Sequence, residues 1–375
     1  MTLSIFTRVL AISAFSLTAM TAGTGQAMPF ENVFIFGDST VDSGNRHISE
    51  GFTFAPPALG YADGRISNGP ALGDVITRLT SNESTATPSL NGGNNFSYAG
   101  ARIRDNTNDL GPGTDTTPDL RAQVDSYLTR VGPPPGANDL FVIAAGGNDL
   151  RDLAFGVPDL PSLDAELAPF DPMVPGLTPP DAGLFLASTA QQLADTIVDL
   201  EFSGAKNILL MLPPDTSRSP EAIAFANSPL NTLGTPQEAL ALIRSGSEAL
   251  AQNIMLRLGL RDMSFASDLR TFDYLPFTDA FVLDPTAFGF PDGTETDSPC
   301  IGFAFENGAP DVDCSMFAFF DSIHPTTALH EQIGLAAVSQ TFGVRTRVAE
   351  VAEPASLALL GFGMVGLVAI RRRAA

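Results

Sequence analysis

Positive charge is scarce in this chain. Its 375 residues include 20 lysine and arginine side chains against 42 aspartate and glutamate, a formal net charge of −22, and Lys206 is the only lysine. A surface of that sign repels phosphate backbones and anionic lipid, so nucleic acid is excluded as a partner. Cysteine is nearly absent. Cys300 and Cys314 are the only two, and no histidine or further cysteine stands at ligand spacing from them, so no metal site is expected there. The acidic stretches 292–297 and 311–313 read as solvated loops and not as calcium sites. Charged residues make up only 17% of the chain and hydrophobic ones 44%. That balance excludes disorder, collagen-like repeats and a polytopic membrane protein. No internal repeat is present.

The two ends differ from the middle. Arg8, a mostly apolar run from Val9 to Met20 and small residues up to Gly25-Gln26-Ala27 have the order of a secretory signal, with cleavage expected after Ala27. Two thiols in an exported chain favour a disulfide between Cys300 and Cys314, which would tie down the loop leading toward Asp321. At the other end Glu353-Pro354-Ala355-Ser356 leads into an apolar stretch from Leu357 to Ile370 and stops at Arg371–Arg373. The stretch is short for a bilayer span, and its arginines would hold it on the cytoplasmic side as an anchor. Gly361, Gly363 and Gly366 spell a dinucleotide fingerprint, but no strand precedes them, so they read as small-residue helix surface. Residues 28–350 are left to fold, with 1–27 and 351–375 as processing segments.

Within that span Val33–Phe36, Leu140–Ala145 and Ile208–Leu212 are continuous apolar runs, the pattern of strands buried on both faces. Leu186, Ala190, Leu193, Ile197 and Leu200 line one face of a helix. Thr235-Pro236-Gln237-Glu238 announces another, with Thr235 as N-cap and Glu238 completing a capping box. The alternation predicts an α/β fold with a central parallel sheet covered on both faces and ligands bound beyond the carboxyl ends of the strands. From about 157 to 180 prolines leave little room for regular structure, and the apolar residues between them predict a lid or wall over the site, or else a clamp on the sheet edge.

No Gly-x-Ser-x-Gly elbow exists in the chain, which disfavours one common way of presenting a nucleophilic serine. Present instead is Gly37-Asp38-Ser39-Thr40 followed by Asp42, Gly44 and Asn45. Three further segments stand with it: Asn95 to Ala101, Gly146-Gly147-Asn148-Asp149 after a strand, and Asp321-Ser322-Ile323-His324-Pro325. A serine hydroxyl needs a base to attack an acyl carbon, and an imidazole is suited to take that proton and return it to the leaving group. Asp321 could fix the tautomer of His324. Singly, each residue has a structural reading: Ser39, Asn148 and Asp321 as caps and Gly100 as a turn. Of the other histidines, His47 reads as a loop residue and His330 as packing or capping within the last helix. Asp42 and Asn45 read as braces for the nucleophile turn.

In this order and spread the four segments resemble the GDSL, or SGNH, hydrolase family, from Val33 to about Phe342. Gly64-Arg65-Ile66-Ser67-Asn68-Gly69, Leu212-Pro213-Pro214 and His330 after His324-Pro325-Thr326 support the resemblance, while Thr40 and Ala99 depart from the commoner leucine and glycine. The resemblance implies a three-layer α/β/α sandwich, Ser39 as nucleophile, His324 as general base and Asp321 as its orienting carboxylate. It also implies an oxyanion hole from Ser39, Gly100 and Asn148, with no metal or organic cofactor. The expected function is that of an exported serine esterase or lipase acting on a lipid, a small ester or an acetylated polysaccharide. The alternatives are a polysaccharide O-acetyl esterase of the envelope matrix and an inactive matrix protein of the same fold. The tail resembles the PEP-CTERM sorting signal of Gram-negative exported proteins, with Ala352 where that family has proline. It implies a membrane sorting protease as partner and delivery to the cell envelope or extracellular matrix.

Overall fold

The computed structural model describes residues 30–104, 117–131, 134–155, 179–260, 267–301 and 313–343. The predicted signal, the sorting tail with its apolar run, and residues 157–178 of the proline-rich stretch lie outside them. Among the described residues no helix is long and apolar enough to cross a membrane.

Four parallel strands form the central sheet in the order β1 (Val33–Gly37), β2 (Leu140–Ala144), β3 (Asn207–Met211) and β4 (Asp268–Phe272). The segment 94–98 extends the sheet beyond β1. Ile35 donates to the Asn94 carbonyl at 3.0 Å, Phe96 to Ile35 at 2.7 Å and Tyr98 to Gly37 at 3.1 Å. The chain therefore leaves β1 toward one edge and returns on the other side as β2. Such a reversal opens a crevice at the carboxyl ends of the strands, the usual place for a ligand in an open α/β sheet.

The helices are α1 (Asn45–Ser49), α2 (Leu72–Thr80), α3 (Leu120–Arg130), α4 (Gly147–Phe155), α5 (Pro179–Ser203), α6 (Pro220–Ala226), α7 (Pro236–Gly259), α8 (Tyr274–Leu283) and α9 (Thr327–Phe342). Strand alternation decides which of them each side chain meets. Phe34, Phe36, Phe141, Ile143, Ile208 and Leu210 pack under α3, α5 and α7. Val33, Ile35, Leu140, Val142, Leu209 and Met211 face α2, α8 and α9. The result is a three-layer α/β/α sandwich. Both the expected α5 stripe, from Leu186 to Leu200, and the Thr235–Glu238 capping box are present.

Two expectations need correction. Pro179 and Pro180 belong to the first turn of α5 and not to the irregular stretch, because a proline there lacks only an N–H that the helix leaves unpaired anyway. The acidic segment at 292–297 is not wholly a loop. Glu295–Pro299 forms β5, which pairs in parallel with β6 (Phe317–Phe319) beside the main sheet, so its polar pattern reflects an exposed strand. Cys300 at the end of β5 and Cys314 just before β6 are joined by a disulfide.

Candidate active site

At the end of β1 the backbone turns so close to β2 that a β-carbon on Gly37 would lie 1.8 Å from the Ala144 carbonyl oxygen, with φ at +147°. Glycine is required there. Gln123 of α3 clamps the turn, accepting from the Gly37 N–H at 2.8 Å and donating to its carbonyl at 3.0 Å. Ser39 follows in the turn. Helix α1 begins only at Asn45, so Ser39 does not cap it.

The Ser39 hydroxyl oxygen lies 2.8 Å from Nε2 of His324. On the far side of the ring, Nδ1 is 2.8 Å from both carboxylate oxygens of Asp321. The carboxylate keeps the ring proton on Nδ1 and leaves the Nε2 lone pair facing Ser39. Asp321 also accepts the backbone N–H of Ile323 at 2.9 Å and of His324 at 2.7 Å, and the Tyr61 hydroxyl at 3.0 Å. Burial alone would raise its pKa, but His324 and these donors outweigh burial and hold it below the usual carboxylate value. Asp38, buried beside Ser39, goes the other way. Burial raises it despite hydrogen bonds from Thr40 and Gly147 and the nearby His324.

Segment 64–69 secures the loop that carries the histidine. Ser67 donates to the Pro325 carbonyl at 2.9 Å, and the Asn68 side-chain oxygen accepts the Thr327 N–H at 2.9 Å. Thr326 then caps α9. Asp42 and Asn45 brace the other side, as expected. Asp42 is fully buried and accepts N–H groups of Gly44, Asn45, Arg46 and Ala99, while Asn45 donates to the carbonyls of Asn95 and Ser97. The Asp42 tie to Ala99 sets the approach to Gly100, whose φ of +86° lies in the left-handed region. Asn148, in the first turn of α4, donates to the Ala101 carbonyl at 2.9 Å. Its neighbour Asp149, pushed up to about 6 by burial, accepts the N–H groups of Ile103 and Arg104. The Gly146–Asp149 motif thus staples the strand-end of β2 to the segment carrying Gly100.

A cavity of about 120 Å³ opens on Ser39, Asn148 and His324. Gly100 is not part of its wall, though the loop just described brings Ala101 against Asn148. One side is apolar: Leu72 from α2, Tyr274, Phe277 and Phe281 from α8, and Leu329 and Ile333 from α9. Another part of the wall is polar, with Arg151, Asp215, Arg218 and Glu221, and Arg151 grips Glu221 through two bonds at 2.6 and 2.7 Å. His330 also lines the cavity. His47 does not: it lies on α1 beside Phe52 and the Phe54 carbonyl, in a separate depression. Among the described residues no group of side chains could hold a metal ion.

Residues 33–337 match the GDSL-like lipase/acylhydrolase family, which is most of the chain. The chain belongs to that family. Among its relatives is a GDSL esterase/lipase of Arabidopsis thaliana, 27% identical over 88% of this chain and 93% of the relative. Another Arabidopsis GDSL esterase/lipase is 27% identical over 84% of the chain and 90% of its own length. A phosphatidylcholine-sterol acyltransferase of Aeromonas hydrophila is 24% identical over 88% and 95%. Residues 350–373 match the PEP-CTERM protein-sorting motif.

Tyr61, Gln123 and the α8 phenylalanines carry no signal in the sequence. Tyr61 and Asp321 are 260 positions apart, and only the fold brings them into contact. In a GDSL domain the serine and histidine motifs stand out, while the residues that aim them do not.

Proposed function

We propose that this GDSL-family protein is an exported serine ester hydrolase that works through an acyl-enzyme on Ser39. The observation that carries the reading is the continuous line from the Ser39 hydroxyl through His324 to Asp321, each step 2.8 Å. In acylation the Ser39 oxygen bonds to the acyl carbon as its proton passes to His324 Nε2, and the alcohol leaves with that proton. Water, deprotonated by the same nitrogen, then releases the acid and frees Ser39. The oxyanion would be met by the N–H groups of Ser39 and Gly100 and the side-chain amide of Asn148, each worth about 2.7–4 kcal/mol by analogy with other oxyanion holes. Asp321 keeps the imidazole in the tautomer that accepts from Ser39 and stabilises it once it is protonated.

Leu72, Tyr274, Phe277, Phe281, Leu329 and Ile333 all line the cavity, more apolar side chains than an acetyl group can contact, which favours a longer acyl chain over the O-acetyl esterase reading. An inert matrix protein would have no reason to retain an aligned hydroxyl, imidazole and carboxylate. A fluorophosphonate probe tests the assignment: the intact protein should be labelled at Ser39 and hydrolyse carboxylic esters. Absence of labelling in folded protein would leave the matrix role standing. The sorting motif supports delivery to the envelope of a Gram-negative bacterium, with a membrane sorting protease acting on the tail.

A further inference from the structure

His330 is out of keeping with its surroundings. It is 1% exposed, and among the described residues neither Nδ1 nor Nε2 has a hydrogen-bond partner. Burial, with a smaller contribution from His324, lowers its pKa to about 3, so the ring is neutral and offers one donor and one acceptor. It lines the cavity on Ser39 together with Leu72, Phe281, Leu329 and Ile333. A packing residue at that position would be apolar, since a buried polar group without a partner is costly to keep. It would be useful if the partner arrived with the substrate.

We propose that the apolar side of the cavity is the acyl subsite, that it takes a short acyl chain bearing a hydroxyl group, and that His330 recognises that hydroxyl. This rests on the serine-hydrolase reading above and extends it to the substrate class. The size fits a short chain: the whole cavity, polar part included, is about 120 Å³, less than the roughly 150 Å³ of a cavity that holds benzene. A hydroxyl can donate to the free ring nitrogen or accept from the ring N–H. The aliphatic chain around it would lie against Leu72, Phe281 and Ile333. The polar side, with Arg151, Asp215, Arg218 and Glu221, is left for the alcohol. Discrimination should be large in kind, because a site built to hydrogen-bond a hydroxyl rejects the analogue that leaves its polar group unpaired.

The test compares hydrolysis of methyl butyrate, methyl 2-hydroxybutyrate and methyl 3-hydroxybutyrate by the purified protein in a pH-stat. One of the hydroxylated esters should exceed methyl butyrate in kcat/KM by about tenfold or more, and His330→Leu should bring that ratio close to one. A ratio near one in the unmodified protein, as expected if His330 is merely held by a buried water, overturns the proposal, as does a ratio that His330→Leu leaves unmoved. A second measurement is independent of turnover. The chain has only three histidines, so the ring nitrogen resonances of Ser39→Ala protein are readily followed. The hydroxylated ester should shift those of His330 and methyl butyrate should not. Such a shift without hydrolysis by the unmodified protein would uphold the subsite and defeat the hydrolase reading, whereas hydrolysis without preference would do the reverse.

Discussion

Asp321 answers to four donors at once, and this explains why a carboxylate buried beside the sheet edge stays ionised. In the proposed mechanism Ser39 and His324 act as a unit, so Ser39→Ala and His324→Ala should lose nearly the same factor in kcat, about a million-fold, and the double variant should be little worse. Asp321→Asn should lose less, on the order of ten-thousand-fold, since the amide upsets the tautomer but leaves the nucleophile and oxyanion donors in place. Steady-state kinetics on any accepted ester decide both. Tyr61→Phe removes one charge-assisted bond to Asp321. It should lower the melting temperature by a few degrees, in line with about 1.5 kcal/mol for such a bond, and lower kcat with KM nearly unchanged. His330 bears on stability as well. Folded, it stays neutral down to about pH 3, whereas the unfolded imidazole takes up a proton near 6.5. The unfolded state therefore binds more protons between those limits, and stability falls as pH drops through them. His330→Leu should flatten that acid loss, as read from urea midpoints at pH 7 and 4.5. The residues legible as chemistry in the sequence are those with reactive side chains in short motifs; Tyr61 and Gln123 are not, because their roles consist only of where the fold puts them.

At the level of elements, the turn after β1 tolerates no side chain at Gly37. Gly37→Ala would drive a methyl group into the Ala144 carbonyl, and backbone on both sides cannot move aside. Loss of soluble protein, or a much lower melting temperature, is the expected outcome. The disulfide between β5 and β6 closes a loop of 14 positions, worth about 3 kcal/mol in the chain-entropy account. Reduction should lower the urea midpoint accordingly, and β6 should exchange its amides faster, because it leads straight into the Asp321 loop. Strands β1 to β3 are legible as unbroken apolar runs because helices cover both their faces. Strand β4, with Asp268 and Arg270 exposed or half-buried, has no such run, as expected of an edge. Strand β5 is hidden for the same reason, and an acidic strand looks like a loop until its partner is known.

For the whole molecule, a net charge of −22 disfavours association with anionic surfaces. The sorting motif at 350–373 follows the last described residue, Gly343, in the sequence, so removal of the tail would leave every described element in the chain. Mature protein from the envelope should lack Arg371–Arg373, and a C-terminal peptide ending at Ala375 in that fraction would point to a simple anchor instead. The sequence by itself determined the layer order of the fold, the family, the serine and histidine motifs and the sorting tail, because these are written in local runs and short spacings. Tertiary structure decided the rest. Only the reversal of direction after β1 brings the segment carrying Gly100, the Asn148 turn and the Asp321–His324 loop to one crevice. The cavity and the buried His330 that lines it exist only once α2, α8 and α9 pack together, since a cavity is a relation among distant segments and no single stretch of chain encodes it.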